Sequence, residues 1–135
     1  MEQLRRIAWL PVLWGVIADV ILTQIVALGI GTAVGIGPDT DPAMAETMLR
    51  ASSYYWPTLL LGIMISGLGG YIAGRLAGRE GAFHGTLAAF ISNIVFTLLT
   101  GGFPEDMVGT LGLMAAILAG TLGGWLASLA YKEKV

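Results

Sequence analysis

Asp19 is the residue with the clearest chemical potential in this sequence, because it is an acid inside a long apolar segment. It lies about 12 residues into that segment, roughly 18 Å along a helix and close to the middle of a bilayer. A carboxylate at that depth costs about 3 kcal/mol on insertion scales. We therefore expect Asp19 to face the protein interior and to hold a proton or contact a polar partner.

Three other polar residues are predicted to lie at or near this depth. Asn93 lies about 11 residues into another apolar segment that runs in the same direction, and Thr23 and Thr97 each follow one helical turn later. Two interpretations stay open. Either Asp19 is protonated and joins two helices through a hydrogen bond to Asn93 or to a backbone carbonyl, or the four residues form a proton or cation site.

A second group of residues suits an anion, such as a lipid headgroup or a phosphate. It consists of Arg75, Arg79 and His84 around a short turn, together with Trp125. The alternative is that the arginines only anchor the chain at the membrane surface while the histidine caps the turn. A lone histidine without further ligands at suitable spacing predicts no metal site, and we expect no other cofactor.

Four apolar segments position these residues. The 135 residues are 56% hydrophobic and 12% charged, against about 25% charged in a soluble domain. Each segment can cross a hydrocarbon core of about 30 Å. We predict an all-α membrane protein, a single transmembrane domain over 1–135, whose four spans form a bundle over about 7–30, 58–76, 82–99 and 107–131.

The connection over 37–57 is the longest and is predicted to lie outside the membrane. Asp41 followed by Pro42 suits a helix start, because aspartate accepts from free backbone N–H groups and proline is tolerated in the first turn. We expect a short amphipathic surface helix over 42–51. Before this connection, glycines are predicted to fray the first span near residue 30.

Small residues recur at every fourth position in all four spans, a glycine-zipper pattern that lets helix backbones approach closely in a bilayer. The clearest stripes are Gly62, Ser66, Gly70, Gly74 and Gly78 in the second span and Gly112, Ala116, Gly120 and Gly124 in the fourth. The simplest interpretation of the stripes is a compact bundle without a pore or pocket. Because the stripes exceed what one bundle needs, they also favour association with a partner or with further copies of the chain.

Basic residues are distributed unequally between the two sides of the predicted bundle. The side of the termini and of the turn after the second span carries Arg5, Arg6, Arg75, Arg79, Lys132 and Lys134. The opposite side has only Arg50. By the positive-inside rule, both termini of this multi-pass protein are expected in the cytoplasm.

The central hairpin also resembles a known group of proteins. The run 69–75, Gly-Gly-Tyr-Ile-Ala-Gly-Arg, is followed by Gly-Arg-Glu-Gly-Ala from Gly78 and by His84-Gly85. It is similar to the hairpin of small, uncharacterised prokaryotic four-helix integral membrane proteins. The resemblance implies a plasma-membrane protein of a bacterium or archaeon and carries over no catalytic residue.

Three functions are compatible with the sequence. The first is a non-enzymatic accessory or structural subunit of a membrane complex, or a self-associating bundle. The second is a small proton- or ion-coupled transporter or channel that uses Asp19, and the third is lipid binding through the arginine cluster. No nucleophile has a base at usable spacing, which argues against an enzyme. The expected partners are membrane lipids and membrane proteins, and a net charge of −2 gives no sign of nucleic acid.

Overall fold

The computed structural model describes residues 7–78, 80–100, 102–104 and 106–132. These residues form five helices and no strand: α1 (Trp9–Val34), α2 (Pro42–Ala51), α3 (Tyr55–Ala77), α4 (Gly81–Thr100) and α5 (Met107–Lys132). All except α2 are long and apolar enough to cross a bilayer. The prediction of an all-helical chain with four candidate membrane spans is therefore confirmed.

The helices α3 and α4 form the centre of the bundle. They contact each other, and both contact α1 on one side and α5 on the other, whereas α1 and α5 do not touch within the described residues. The short helix α2 packs against α1 and α3. We call the end where α1 begins and α3 turns into α4 the terminal end, and the opposite end the α2 end.

The ends of α1 and α2 show how local sequence sets the helix bounds. Asp41 accepts hydrogen bonds from the backbone N–H groups of Ala43 (2.9 Å) and Met44 (3.3 Å), as predicted for the start of α2. In contrast, α1 continues past Gly31 to Val34 and ends where Gly35 adopts a left-handed φ of 85°. The predicted fraying near residue 30 is wrong, because the carbonyl oxygen of Gly31 accepts a hydrogen bond of 2.8 Å from the Ile36 N–H in the cap that ends α1.

Helix backbones touch directly at the terminal end. A Cβ atom added to Gly74 would lie 2.7 Å from the Cα of Gly124, and one added to Gly15 would lie 2.7 Å from the Gly69 carbonyl oxygen. Gly70 meets the backbone of Gly120 even more closely. These distances leave no room for a side chain.

The stripe residues at the two ends of α3 do not take part in these backbone contacts. Gly62 has no atom within 4 Å of an added Cβ, and Gly78 lies beyond the helix with a φ of 70°. In α5, Gly112 meets the side chain of Leu59 instead of a helix backbone. A step of four residues turns by about 40° around a helix of 3.6 residues per turn, so only the middle of a strict stripe faces one neighbour.

This geometry predicts opposite outcomes for two glycine substitutions in α3. Gly70→Ala should lower the unfolding midpoint in detergent, with a loss of about 1 to 3 kcal/mol, because the added methyl group must push α5 away. Gly62→Ala is the matched control and should be neutral or slightly stabilising. Equal midpoints for the two variants would contradict the close contact between α3 and α5.

Candidate functional site

A cavity of about 820 Å³ occupies the α2 half of the bundle. All five helices line it, and its deepest residue on each long helix is Asp19, Ser66, Ser92 or Ala116. These four residues form the floor. The glycine contacts of Gly15, Gly70 and Gly120 begin about one turn below it, so the cavity is closed towards the terminal end.

Asp19 holds the only carboxylate on this floor. The side chain is 4% exposed and accepts a short hydrogen bond from the Ser92 hydroxyl. The Thr23 hydroxyl donates a second, longer bond of 3.4 Å, and Ser66 lies beside the same carboxylate. Hydroxyl donors stabilise a buried carboxylate, yet no cation among the described residues neutralises it.

The close approach of α1 and α3 places Asp19 at this level. A Cβ added to Gly69 would lie 2.9 Å from the Cβ of Asp19 and equally close to the Gly15 carbonyl oxygen. Any larger residue at position 69 would push α1 outwards. The glycine on α3 thus holds the acid against the hydroxyl groups of α3 and α4.

The predicted bond between Asp19 and Asn93 is absent. The Asn93 side chain donates instead to the carbonyl oxygen of Ala89, 2.7 Å away, and Ser92 is the partner of Asp19. A strict four-residue stripe carries Asn93 about 80° away from the direction of Gly85, whereas Ser92, seven residues after Gly85, stays within about 20° of it. A count at spacings of three and four would have found Ser92.

Thr23, Asn93 and Thr97 nevertheless line the same cavity as Asp19. Thr97 is buried, and Phe96 beside it presents an aromatic ring to the cavity wall. The structure therefore brings the four predicted polar residues together around one space. It adds Ser66 and Ser92, which the sequence analysis missed.

The mouth of the cavity, at its α2 end, is formed by Glu46, Arg50, Tyr55 and Asp106. Arg50 connects the other three. Its guanidinium donates to Glu46 on α2 and to Asp106 before α5, at 2.8 and 2.9 Å. It also lies over the ring of Tyr55, 5.4 Å from the centroid. Asp106 has a second role, because its other carboxylate oxygen accepts from the Gly109 N–H at the start of α5.

The charge of Arg50 lowers the pKa of Asp106 below its usual value, and the two carboxylates raise the pKa of Arg50. Because the pKa of Asp106 is depressed in the folded chain, this link is complete above the ordinary aspartate range. It is lost as the pH falls through the lowered pKa. The sequence identifies Arg50 only as the one basic residue on the side opposite the termini. Its ion pair with Asp106 joins residues 56 positions apart, so residue spacing does not predict it.

His84 links the start of α1 to the turn between α3 and α4 through both ring nitrogens. It is 3% exposed, and its Nε2 accepts a hydrogen bond of 3.1 Å from the Ala8 N–H. The proton is therefore on Nδ1, which donates to the Glu80 carbonyl oxygen at 3.0 Å. The histidine fastens the start of α1 to the turn between α3 and α4.

The remaining residues of the predicted anion cluster are not gathered by an observed contact. Arg75 is half-buried near the end of α3, and Trp125 is 48% exposed on α5. Arg79 lies outside the described residues. Lipid binding at this end stays a prediction. Elsewhere in the described chain, no three His, Asp or Glu side chains are close enough to share a metal ion.

Comparison of the chain with known protein families, with curated proteins and with solved structures found no match. The function must therefore be inferred from the cavity itself.

The ion pair between Arg50 and Asp106 at the mouth can be tested by removing the charge of Asp106. Asp106→Asn keeps an oxygen that can cap α5 but loses the ion pair with Arg50. Because the pair is exposed, the thermal midpoint should change little, whereas hydrogen exchange in α2 should become faster. Asp39→Asn, which removes an exposed charge from the connection between α1 and α2, is the control and should leave α2 exchange unchanged.

The histidine link can be tested separately. His84→Leu should leave the Ala8 N–H without its partner, at a cost of about 1 kcal/mol, and should accelerate amide exchange in the first turn of α1. Phe83→Leu alters the exposed neighbour and should have no such effect. Unchanged exchange in His84→Leu would show that the histidine does not hold α1.

Proposed function

We propose that this protein is a small proton- or ion-coupled transport protein of the membrane, in which Asp19 carries the proton or the cation. One observation supports this most directly. The Asp19 carboxylate lies at the floor of a cavity that is open at one end of the bundle and closed at the other. A purely structural acid would need no cavity above it.

The arrangement of donors around Asp19 suits reversible binding. Ser92 and Thr23 are neutral hydroxyl groups, which stabilise a carboxylate without compensating its charge. A proton or an incoming cation can therefore exchange at the carboxylate. An arginine or lysine at the same place would form a permanent ion pair and would block that exchange.

The direction of the cavity follows from the charge distribution. Six of the seven basic residues lie on the side of the termini, which supports a cytoplasmic terminal end and a cavity that opens to the outside. The resemblance of the 69–85 hairpin to prokaryotic membrane proteins supports a location in the plasma membrane. Transport to the other side requires the glycine contacts below Asp19 to separate.

A role as an accessory subunit, or as a self-associating bundle, stays a prediction. The surplus of small residues was its main support, but Gly70 and Gly74 contact Gly120 and Gly124 within one chain. These glycines are occupied inside the bundle and give no separate reason to expect a partner.

Transport can be measured in liposomes that contain the purified protein and a pH-sensitive dye. Gradients of Na⁺, K⁺ and tetraethylammonium are applied one at a time, each with and without a pH gradient. We expect at least one condition to move protons faster than in empty liposomes. Asp19→Asn should reduce this rate about tenfold or more, because the amide carries no exchangeable charge.

Asp39→Asn provides the matched control, because it removes a carboxylate that is exposed and outside the cavity. It should retain the rate of the unmodified protein. No proton movement under any gradient, or equal rates for Asp19→Asn and the control, would contradict the transport function. Elution from mild detergent with a co-purifying membrane protein would then favour the accessory role.

A further inference from the structure

We infer that the cavity binds an organic cation with an apolar body. This inference rests on the proposed function, since it names the class of cargo that the site would carry. Three properties of the cavity support it: the sign of its charge, the character of its walls and its size.

The charge of the lining favours a cation. Among the described lining residues, Asp19, Glu46 and Asp106 are acidic, and Arg50 is the one base. Arg50 is engaged by both acids at the mouth, so it leaves the carboxylate at the floor uncompensated. An anion entering this space would meet Asp19 with no positive group beside it.

The walls favour an apolar body around that charge. Between the floor and the mouth, the cavity is lined mainly by aliphatic side chains and by aromatic rings: Val20, Val26, Leu59, Ile63, Phe96 and Leu113. Phe96 is four residues after Ser92 and therefore lies one turn above the floor on the same face of α4. An aromatic ring at this place can stabilise a cation that approaches Asp19.

The size of the cavity argues against a small inorganic ion. Its volume of about 820 Å³ is within the range of about 300 to 1,000 Å³ that is typical of organic ligands. A Ca²⁺ or Mg²⁺ ion needs about six to eight oxygen ligands at short distance. The floor offers one carboxylate and a few hydroxyl groups, and no three acidic or histidine side chains gather there among the described residues.

At the mouth, carboxylates and an aromatic ring already hold a cation, the side chain of Arg50. The guanidinium of Arg50 lies between the carboxylates of Glu46 and Asp106 and over the ring of Tyr55. A carboxylate and an aromatic ring recur deeper in the cavity, where Asp19 lies on the floor and Phe96 lies one turn above it. The difference is that no residue of the described chain supplies the cation there.

The experiment uses two probes of nearly equal shape and opposite charge, tetraphenylphosphonium and tetraphenylborate. Binding to the purified full-length protein in detergent is measured by equilibrium dialysis. Tetraphenylphosphonium should bind saturably at one site per chain. Tetraphenylborate should show only the non-saturable uptake of empty micelles, because its negative charge is repelled by Asp19.

Two variants test the residues that carry the inference. Asp19→Asn should weaken tetraphenylphosphonium binding about tenfold or more, and Phe96→Leu should weaken it by a smaller factor of about three to ten. Leu98→Ala, at an exposed position of α4 outside the cavity, should change nothing. Each variant is accepted only if its elution volume and thermal midpoint match those of the unmodified protein.

Three results would overturn the inference. They are non-saturable uptake of tetraphenylphosphonium, equal binding of tetraphenylborate, and unchanged affinity in Asp19→Asn. The first two use the unmodified protein, so the test does not depend on the folding of a variant.

Binding and transport can fail separately. Saturable binding without proton movement in liposomes would support the ligand class but contradict the transport function. Proton movement driven by Na⁺ or K⁺, with no binding of tetraphenylphosphonium, would support transport and contradict the organic cation.

Discussion

The rest of the structure depends on the direct contact of helix backbones at the terminal end. Gly74 on α3 meets Gly124 on α5, and Gly15 on α1 meets Gly69 on α3, with no space for an intervening side chain. In a bilayer, where lipid is as apolar as the protein surface, such dense packing replaces the hydrophobic effect as the force that holds helices together. Above these contacts larger side chains line the helices, and a cavity separates them.

Asp19 lies at the boundary between these two halves. One turn below, Gly15 is in backbone contact, and one turn above, Thr23 already faces the cavity. The acid is thus held by rigid packing on one side and meets open space on the other. This combination fits a site that must bind a charge with defined geometry and also exchange it.

The sequence was sufficient to predict the elements and the start of α2. These features depend on local signals, such as the capping geometry of Asp41 and the length of the apolar runs. To predict the hydrogen-bond partner of Asp19, one must also know how α4 is rotated about its axis relative to α1. The choice between Ser92 and Asn93 depends on that angle, and a stripe of fixed spacing does not specify it.

The remaining differences between the sequence-based predictions and the structure arise from contacts that residue spacing does not specify. Arg50 and Asp106 are far apart in the sequence, and only the folded chain brings them together at the mouth. The contact of His84 with Ala8 joins residues 76 positions apart, so the sequence around the histidine does not indicate it. Gly31 continues α1 because its carbonyl oxygen is engaged by the cap around Gly35, a contact that a count of glycines does not predict.

The separation of packing from cavity has a consequence for how such a protein can evolve. Substitutions at the glycine contacts must be accommodated by a neighbouring backbone, so this half tolerates few of them. Side chains such as Ile63 and Leu113 border empty space and can change size without disturbing the helix contacts below. The upper walls of the cavity can therefore change shape while the packing below them is maintained.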